Sequence, residues 1–312
     1  MNLRYLVIKL LRAAFTLWAV VTFVFVVLRL TGDPADQLLP DDVAPEIAAY
    51  YRSLWGLDQT IWQQYVRYFA AALQGDFGIS FRNGLPALEI IWQRVPKTLE
   101  LGSATFLTAL AIGIPLGILA ALHRDRWIDR VTMGLAVFGF SMPNFFLGIL
   151  LILLFALQWR MLPSSGYGTW EHMILPVFTL ATAFAGAIAR FSRSAMLEVL
   201  SQEYMRTAEA EGAGLGARVW RHALPNAAVP IVTIIGFSLG GMIGGAVVTE
   251  NVFAWPGVGR LLTNSVGDRD LAVVQGIVML VAVTMVLANL FVDLAYGWLD
   301  PRVRVGAGQR SR

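Results

Sequence analysis

Residues 101–122 read LGSATFLTALAIGIPLGILAAL, a run without a single charged side chain. A helix rising 1.5 Å per residue needs about 20 apolar residues to cross the hydrocarbon of a bilayer, so this run alone is long enough to span. Five further uncharged runs lie at 13–28, 131–157, 173–189, 223–249 and 271–292. Six spans are therefore expected, in an all-α integral membrane protein. The two shortest runs must borrow flanking residues, and the two of 27 residues must tilt or begin outside the hydrocarbon. Composition agrees: 57% of the 312 residues are hydrophobic and 14% charged, where a soluble domain carries roughly 25% charge.

Other chemistry is narrowed by what the chain lacks. It has no cysteine, which removes disulfides, thiolate metal sites and cysteine nucleophiles. Its histidines, His123, His172 and His222, are far apart in sequence and suggest no metal cluster. Lys9 and Lys97 are the only lysines, and neither stands between glycine and Ser or Thr, as a Walker A phosphate loop requires. ATP consumption, if any, must reside on a partner. Nothing points to nucleic acid, a resident cofactor or a catalytic site.

The first run follows Arg4, Lys9 and Arg12, but Leu30-Thr31-Gly32-Asp33-Pro34 offers no small-x-small cleavage site, so an uncleaved anchor is expected. With the N-terminus inside, fifteen basic residues, from Arg4, Lys9 and Arg12 to Arg310 and Arg312, fall in inner segments. The two short outer loops hold only Arg160, Arg260 and Arg269. The positive-inside rule then places both termini in the cytoplasm. The division reads as a tail and first span (1–30), an outer segment (31–98), a membrane domain (99–300) and a cytoplasmic tail (301–312). In the outer segment, Ile61, Tyr65, Tyr68, Phe69 and Ala72 share one face of a helix ending at Gly75. Such a helix either lies on the bilayer or over a pore mouth, or packs on the outer ends of the spans.

The inner connection 190–222 stands out by length. Ser201 can cap a helix with Glu203 in its first turn, and Gly212, Gly214 and Gly216 break it. Helical pattern resumes at 217–223 before Pro225. The outcome is a knob without catalytic groups, either a docking element or a solvated loop.

That connection, EYMRTAEAEGAGLGARVWRHALPN over 203–226, resembles the signature loop of permease subunits in binding-protein-dependent ABC importers. The family pattern is Glu-Ala-Ala, three residues, Gly, then nine residues to Ile-x-Leu-Pro. Gly212, Leu224 and Pro225 match it, while Arg206-Thr207-Ala208 replace Glu-Ala-Ala and His222 replaces the isoleucine. The Tyr-x-Arg-Thr-Ala form is that of the peptide and nickel importers. RLTGDPA, GLDQTIWQQYVRYF, GDFGISF, RVPKTLELG, SMPNFFLG, ENVFAWPGVGRLL and NLFVDLAYGWLDPRVR extend the likeness to that family's first permease subunit along nearly the whole chain. Two departures are Glu209 and Glu211, where the family usually has basic residues, and the absence of a second proline near Pro34.

The resemblance implies a type I ABC importer permease fold in a bacterial or archaeal inner membrane. It also implies a second, homologous permease, two ATPase subunits carrying ATP and Mg, and an extracytoplasmic substrate-binding protein. ATP binding would close the ATPase dimer, move the docking helices and turn the spans from inward-facing to outward-facing. Docking would fall to Tyr204, Met205, Arg206, Thr207, Ala208, Glu209, Glu211, Gly212, Leu215, Leu224 and Pro225. Relatives handle dipeptides, longer peptides, nickel chelates and glutathione-like molecules, and peptide is the expected substrate.

Within the spans, Gly113 with Gly117, and Gly236, Gly240, Gly241, Gly244 and Gly245, form small-xxx-small pairs that permit close helix approach, whether static or moving. Ser141 and Asn144 flank Met142-Pro143, where proline frees a carbonyl and can break the helix. These two and Asn289 are candidates for the translocation path or for interhelical bonds, and Asp293 for a helix-end anchor. A proton-coupled transporter would need acids within the spans, and the six runs contain none. An intramembrane hydrolase lacks a mid-span histidine. A structural subunit without transport shares the spans and differs only in having no use for a docking loop.

Overall fold

The computed structural model describes residues 3–30, 43–54, 58–80 and 82–299. Within these, the side chains at 3–6, 28–30, 48, 51, 54, 229, 233, 236–245, 289 and 291–299 lie outside the description. The described residues form helices and one isolated antiparallel bridge, Ile79 with Pro86. In chain order the helices are α1 (Leu3–Leu30), α2 (Pro45–Leu54), α3 (Ile61–Leu73), α4 (Ala87–Leu122), α5 (Trp127–Ser141), α6 (Asn144–Leu151), α7 (Glu171–Leu200), α8 (Glu203–Ala210), α9 (Leu215–Ala217), α10 (Leu224–Val252), α11 (Val258–Gly267) and α12 (Leu271–Leu299). Two π-helical stretches, Ile152–Gln158 and Arg218–Ala223, continue α6 and α9.

Among the described residues, four helical segments are long and apolar enough to cross a membrane: Val7–Val27, Ala87–Leu122, Glu171–Leu200 and Leu271–Ala288. A fifth arises if Trp127–Ser141 and Asn144–Gln158 count together, but these two are bent by 102°. The run 131–157 is therefore broken in its middle, at the proline from which a break could be expected. The cause is local: Pro143 has no amide hydrogen to continue the ladder, and it drives Met142 to extended geometry (φ −77°, ψ 125°). A departure concerns the run 173–189. Its helix does not stop at Ala189 but continues to Leu200, so the segment taken as a loop from residue 190 begins as two further turns and more of α7.

The chain divides into two compact units. One is centred on 2–96 with 260–287, the other on 97–259 with the end of α12. In the first unit, Thr60 caps α3 through a capping box with Gln63, and Tyr65 and Tyr68 face α1. The Thr22 and Tyr65 hydroxyls are 2.8 Å apart, and the Phe25 ring meets Tyr65 edge-on at 5.3 Å and Tyr68 at 5.6 Å. Burial pushes the Tyr68 phenol up to about 12, so it remains a neutral packing surface at physiological pH. Packing on a span thus accounts for one side of α3, while Ile61, Trp62, Val66 and Leu73 stay exposed. Asp270, buried, accepts a hydrogen bond from Ser80.

In the second unit, α7 is the central rod, flanked by α4, α5 and α10. Glycine sets the approach of two neighbours. A Cβ on Gly117 of α4 would lie 2.5 Å from the Ala189 carbonyl oxygen and 2.6 Å from Ser192 Cβ. One on Gly113 would lie 2.8 Å from the Ala185 oxygen, and one on Gly186 would collide with the Ala136 carbonyl of α5. Contacts this short exist only where side chains are absent. The surroundings of Gly236, Gly240, Gly241, Gly244 and Gly245 fall outside the described residues. Polar bonds fix the same elements. Arg193 of α7 donates from Nε and Nη2 to the two Asp129 carboxylate oxygens of α5, both at 2.6 Å, with Asp129 buried. Trp255, fully buried, donates from Nε1 to the Lys97 carbonyl at 2.9 Å. Thr98 links Glu250, at 2.7 Å, to the Val258 amide, at 2.8 Å.

Candidate functional site

The knob is built by α8 and by α9 with its π-helical continuation. Gln202, in extended geometry, precedes α8, and Gly212 ends it with φ +86°. Around that glycine, the Ala213 amide donates to the Ala208 carbonyl at 3.0 Å and the Gly212 amide to Glu209 at 3.0 Å. This pair of bonds is the Schellman closure, and the left-handed residue it requires is cheap only for glycine. Nothing lies within 4 Å of where a Gly212 Cβ would be, so the constraint is backbone conformation, not space. Gly214 has φ −64°, and its glycine identity answers to no such demand.

Orientation divides the expected docking residues. Met205 and Ala208 point inward, joining Val219, Ala223, Met196, Val199 and Ala121 in one buried cluster, so they anchor the knob to the ends of α4, α7 and α10. Met205 is 4% and Ala208 6% exposed, so the structure places these two of the expected docking residues on the inner face of the knob. Tyr204, Arg206, Thr207, Glu211 and Leu215 are exposed, and Leu224 is half-buried. Glu209 does not face outward alone: its Oε2 pairs with Arg218 Nη1 at 2.7 Å, which ties α8 to the second helix of the knob. Trp220, 68% exposed, was missed. The signal was present, because Val219 and Ala223 are four apart and both inward, which turns Trp220 out. Behind Pro225, the Asn226 side-chain amide donates to the His222 carbonyl at 2.7 Å.

The second site lies at the bend between α5 and α6. An open cleft of about 560 Å³ is lined by Ser141, Met142, Pro143 and Asn144 from the break, and by Phe140, Phe184 and Arg190 among others. Two of the three path candidates thus line one cavity, while the Asn289 side chain and Asp293 lie outside the described residues. No group of three or more potential metal-ligating side chains occurs among the described residues.

The chain matches the family described as "Binding-protein-dependent transport system inner membrane component" over residues 113–305, and the companion N-terminal family of the same membrane component over 2–102. The chain belongs to this permease family. Among curated relatives, the glutathione transport system permease protein GsiC of Escherichia coli (strain K12) is 40% identical over 303 residues, which is 97% of this chain and 99% of that protein. GsiC of Salmonella paratyphi A is 42% identical over the same coverage. Two solved structures share the fold. One is the MetNI methionine ABC transporter in inward-facing conformations, with TM-score 0.58, 20% identity, and coverage of 68% of this chain and 96% of that one. The other is an amino acid ABC transporter, with TM-score 0.55, 15% identity, and coverage of 67% and 93%.

As a binding-protein-dependent permease, the chain is a multi-pass inner-membrane subunit of an ABC importer and not a catalytic one. The family holds no cofactor, and membership implies a complex with ATPase subunits and a binding protein. The residues quoted for the resemblance lie inside the two family matches, Gly212 and the Leu224-Pro225 pair in the second of them along the chain.

Proposed function

We propose that this permease crosses the membrane six times with both termini cytoplasmic, and pairs with a second, homologous permease to enclose the path for short peptides, glutathione among them. The observation that carries the substrate is the 40% identity to glutathione permeases over 97% of the chain. In this reading, α10, 29 residues long, is the fifth span, and the α5–α6 pair is a broken third one. The segment 31–98 is extracytoplasmic, and the knob between Ser201 and His222 faces two ATPase subunits. Their closure on ATP moves the knob, and the anchor formed by Met205, Ala208 and Val219 transmits that movement into α7 and α10. A ligand can bias such an equilibrium only by its different affinity for the two states, so the anchor must be stiff, and a buried apolar cluster is. Ser141 and Asn144 are assigned to the path, and nickel chelates are the alternative cargo.

The test is uptake into proteoliposomes that hold the permease pair, the ATPases and the binding protein. ATP-dependent accumulation of glutathione or of an alanine tripeptide supports the reading. Accumulation of a nickel chelate alone, with neither peptide taken up, overturns the substrate assignment.

A further inference from the structure

We propose that the cleft at the α5–α6 break is a station on the path in which Arg190 receives the carboxylate of the passing substrate. The inference rests on the peptide reading above and deepens it, because it names the chemical group that is read and the residue that reads it.

Three observations converge. Among the described residues that line the cleft, Arg190 is the one charged side chain and there is no carboxylate. Its Nε is buried without a hydrogen-bond partner, whereas Arg193, three residues on, is fully engaged by Asp129. The Arg190 guanidinium is held 4.9 Å from the Phe140 ring centroid, a contact that orients the group without neutralising it. A buried guanidinium donor without an acceptor is costly. The ligand that satisfies it is an anion with paired oxygens, since the planar fork of arginine matches a carboxylate in two parallel bonds.

The rest of the cleft suits the same ligand. Pro143 precedes α6 as its N-cap and supplies no side-chain cap, so the first amides of that helix are left at the break, where they favour negative charge. Ser141 and Asn144 supply neutral donors and acceptors beside it, while Phe140 and Phe184 give apolar walls for the remainder of a peptide. The side-chain chemistry matches a carboxylate-bearing solute and mismatches a free metal cation, which like-charge repulsion from Arg190 would exclude. A carboxylate and a lipid phosphate share this chemistry, and the two are separated experimentally.

The complete importer, without its binding protein, is purified in dodecyl maltoside, which carries no phosphate. Binding of millimolar glutathione and of its diamide is read by saturation-transfer NMR, for the native chain, Arg190→Gln and Arg190→Lys. Glutathione should bind in preference to the diamide. Arg190→Gln should weaken glutathione by about tenfold or more, the least expected for loss of a charge-assisted bond, with no effect on the diamide, and Arg190→Lys, which keeps the charge but loses the fork, should recover only part of the binding. Uptake of glutathione in proteoliposomes should fall in the same order. Dihexanoyl-phosphatidylglycerol is titrated as a third probe in the same detergent. Four results overturn the proposal: glutathione binding unchanged in Arg190→Gln, equal loss for glutathione and its diamide, loss accompanied by a lower thermal midpoint, or dihexanoyl-phosphatidylglycerol binding the native chain in preference to glutathione and losing that binding in Arg190→Gln. The last would assign the site to a lipid headgroup. Absence of glutathione and peptide uptake by the native importer instead refutes the function proposed above, and is read without any variant.

Discussion

Replacing Gly117 and Gly102 with alanine, each in the same helix, should produce opposite effects. Both lie in α4, and in both the substitution adds one methyl group. At Gly117 the new Cβ meets the Ala189 oxygen at 2.5 Å and Ser192 Cβ at 2.6 Å. Ordinary contact needs about 3.5 Å or more between carbons, so α4 and α7 must separate by about 1 Å. The obstacle is backbone, which cannot rotate away, and overpacking of this kind costs about 1–3 kcal/mol. At Gly102 nothing lies within 4 Å, and the helix gains about 0.5–1 kcal/mol from the lower chain entropy of alanine. In the purified chain, at roughly 2–3 °C per kcal/mol, Gly117→Ala should lower the thermal midpoint by about 2–9 °C. Gly102→Ala should leave it unchanged or raise it slightly. Heating followed by size-exclusion chromatography reads both. Equal loss in the two variants, or none at Gly117, would refute the close-crossing argument.

Gly212→Val should insert normally yet lose stimulation of the ATPases, since a β-branched residue resists φ +86°, and Gly212→Asn should retain most of it because asparagine tolerates that region. Normal stimulation in the valine variant would show that the Schellman turn is dispensable. Because the chain has no cysteine, single cysteines report sidedness in intact cells. Ser53→Cys and Val266→Cys should label from outside, and Ser201→Cys only after permeabilisation. Outside labelling of Ser201→Cys would invert the topology. Val266 replaces the neighbouring Ser265, an otherwise natural choice, because Ser265 is 5% exposed and Val266 58%.

Much of this architecture is legible in the amino-acid sequence. Uncharged runs such as 101–122 announce themselves because charge in hydrocarbon is costly, and the turn at Gly212 because a helix stopped by a left-handed residue selects glycine. The Pro143 break was visible as a possibility, but its 102° angle depends on how α6 packs against α7 and α10, which no local pattern encodes. The same reason hid the direction of the knob. Met205 and Tyr204 are adjacent and similar in apolarity, and only the position of α4 and α7 decides which is buried. Glu209 illustrates the limit for charge: the sequence marks it as a departure from the family's basic residues, and nothing local shows that Arg218, nine residues on and across the Gly212 turn, pairs with it. The end of α7 was misplaced because Arg190 and Arg193 look like a loop boundary, although a helix carries them readily when one finds Asp129.

The central claim is that the exposed face of the knob meets the ATPases while its inner face anchors it. Leu215, 56% exposed, Trp220, 68% exposed, and Met205, 4% exposed, separate these faces. Each is changed in turn to cysteine and coupled to a short photoreactive group, and the assembled importer is illuminated. Leu215→Cys and Trp220→Cys should cross-link to an ATPase subunit, and Met205→Cys should cross-link only within its own chain. An importer that remains assembled and active yet gives no ATPase adduct from either exposed position would contradict the account.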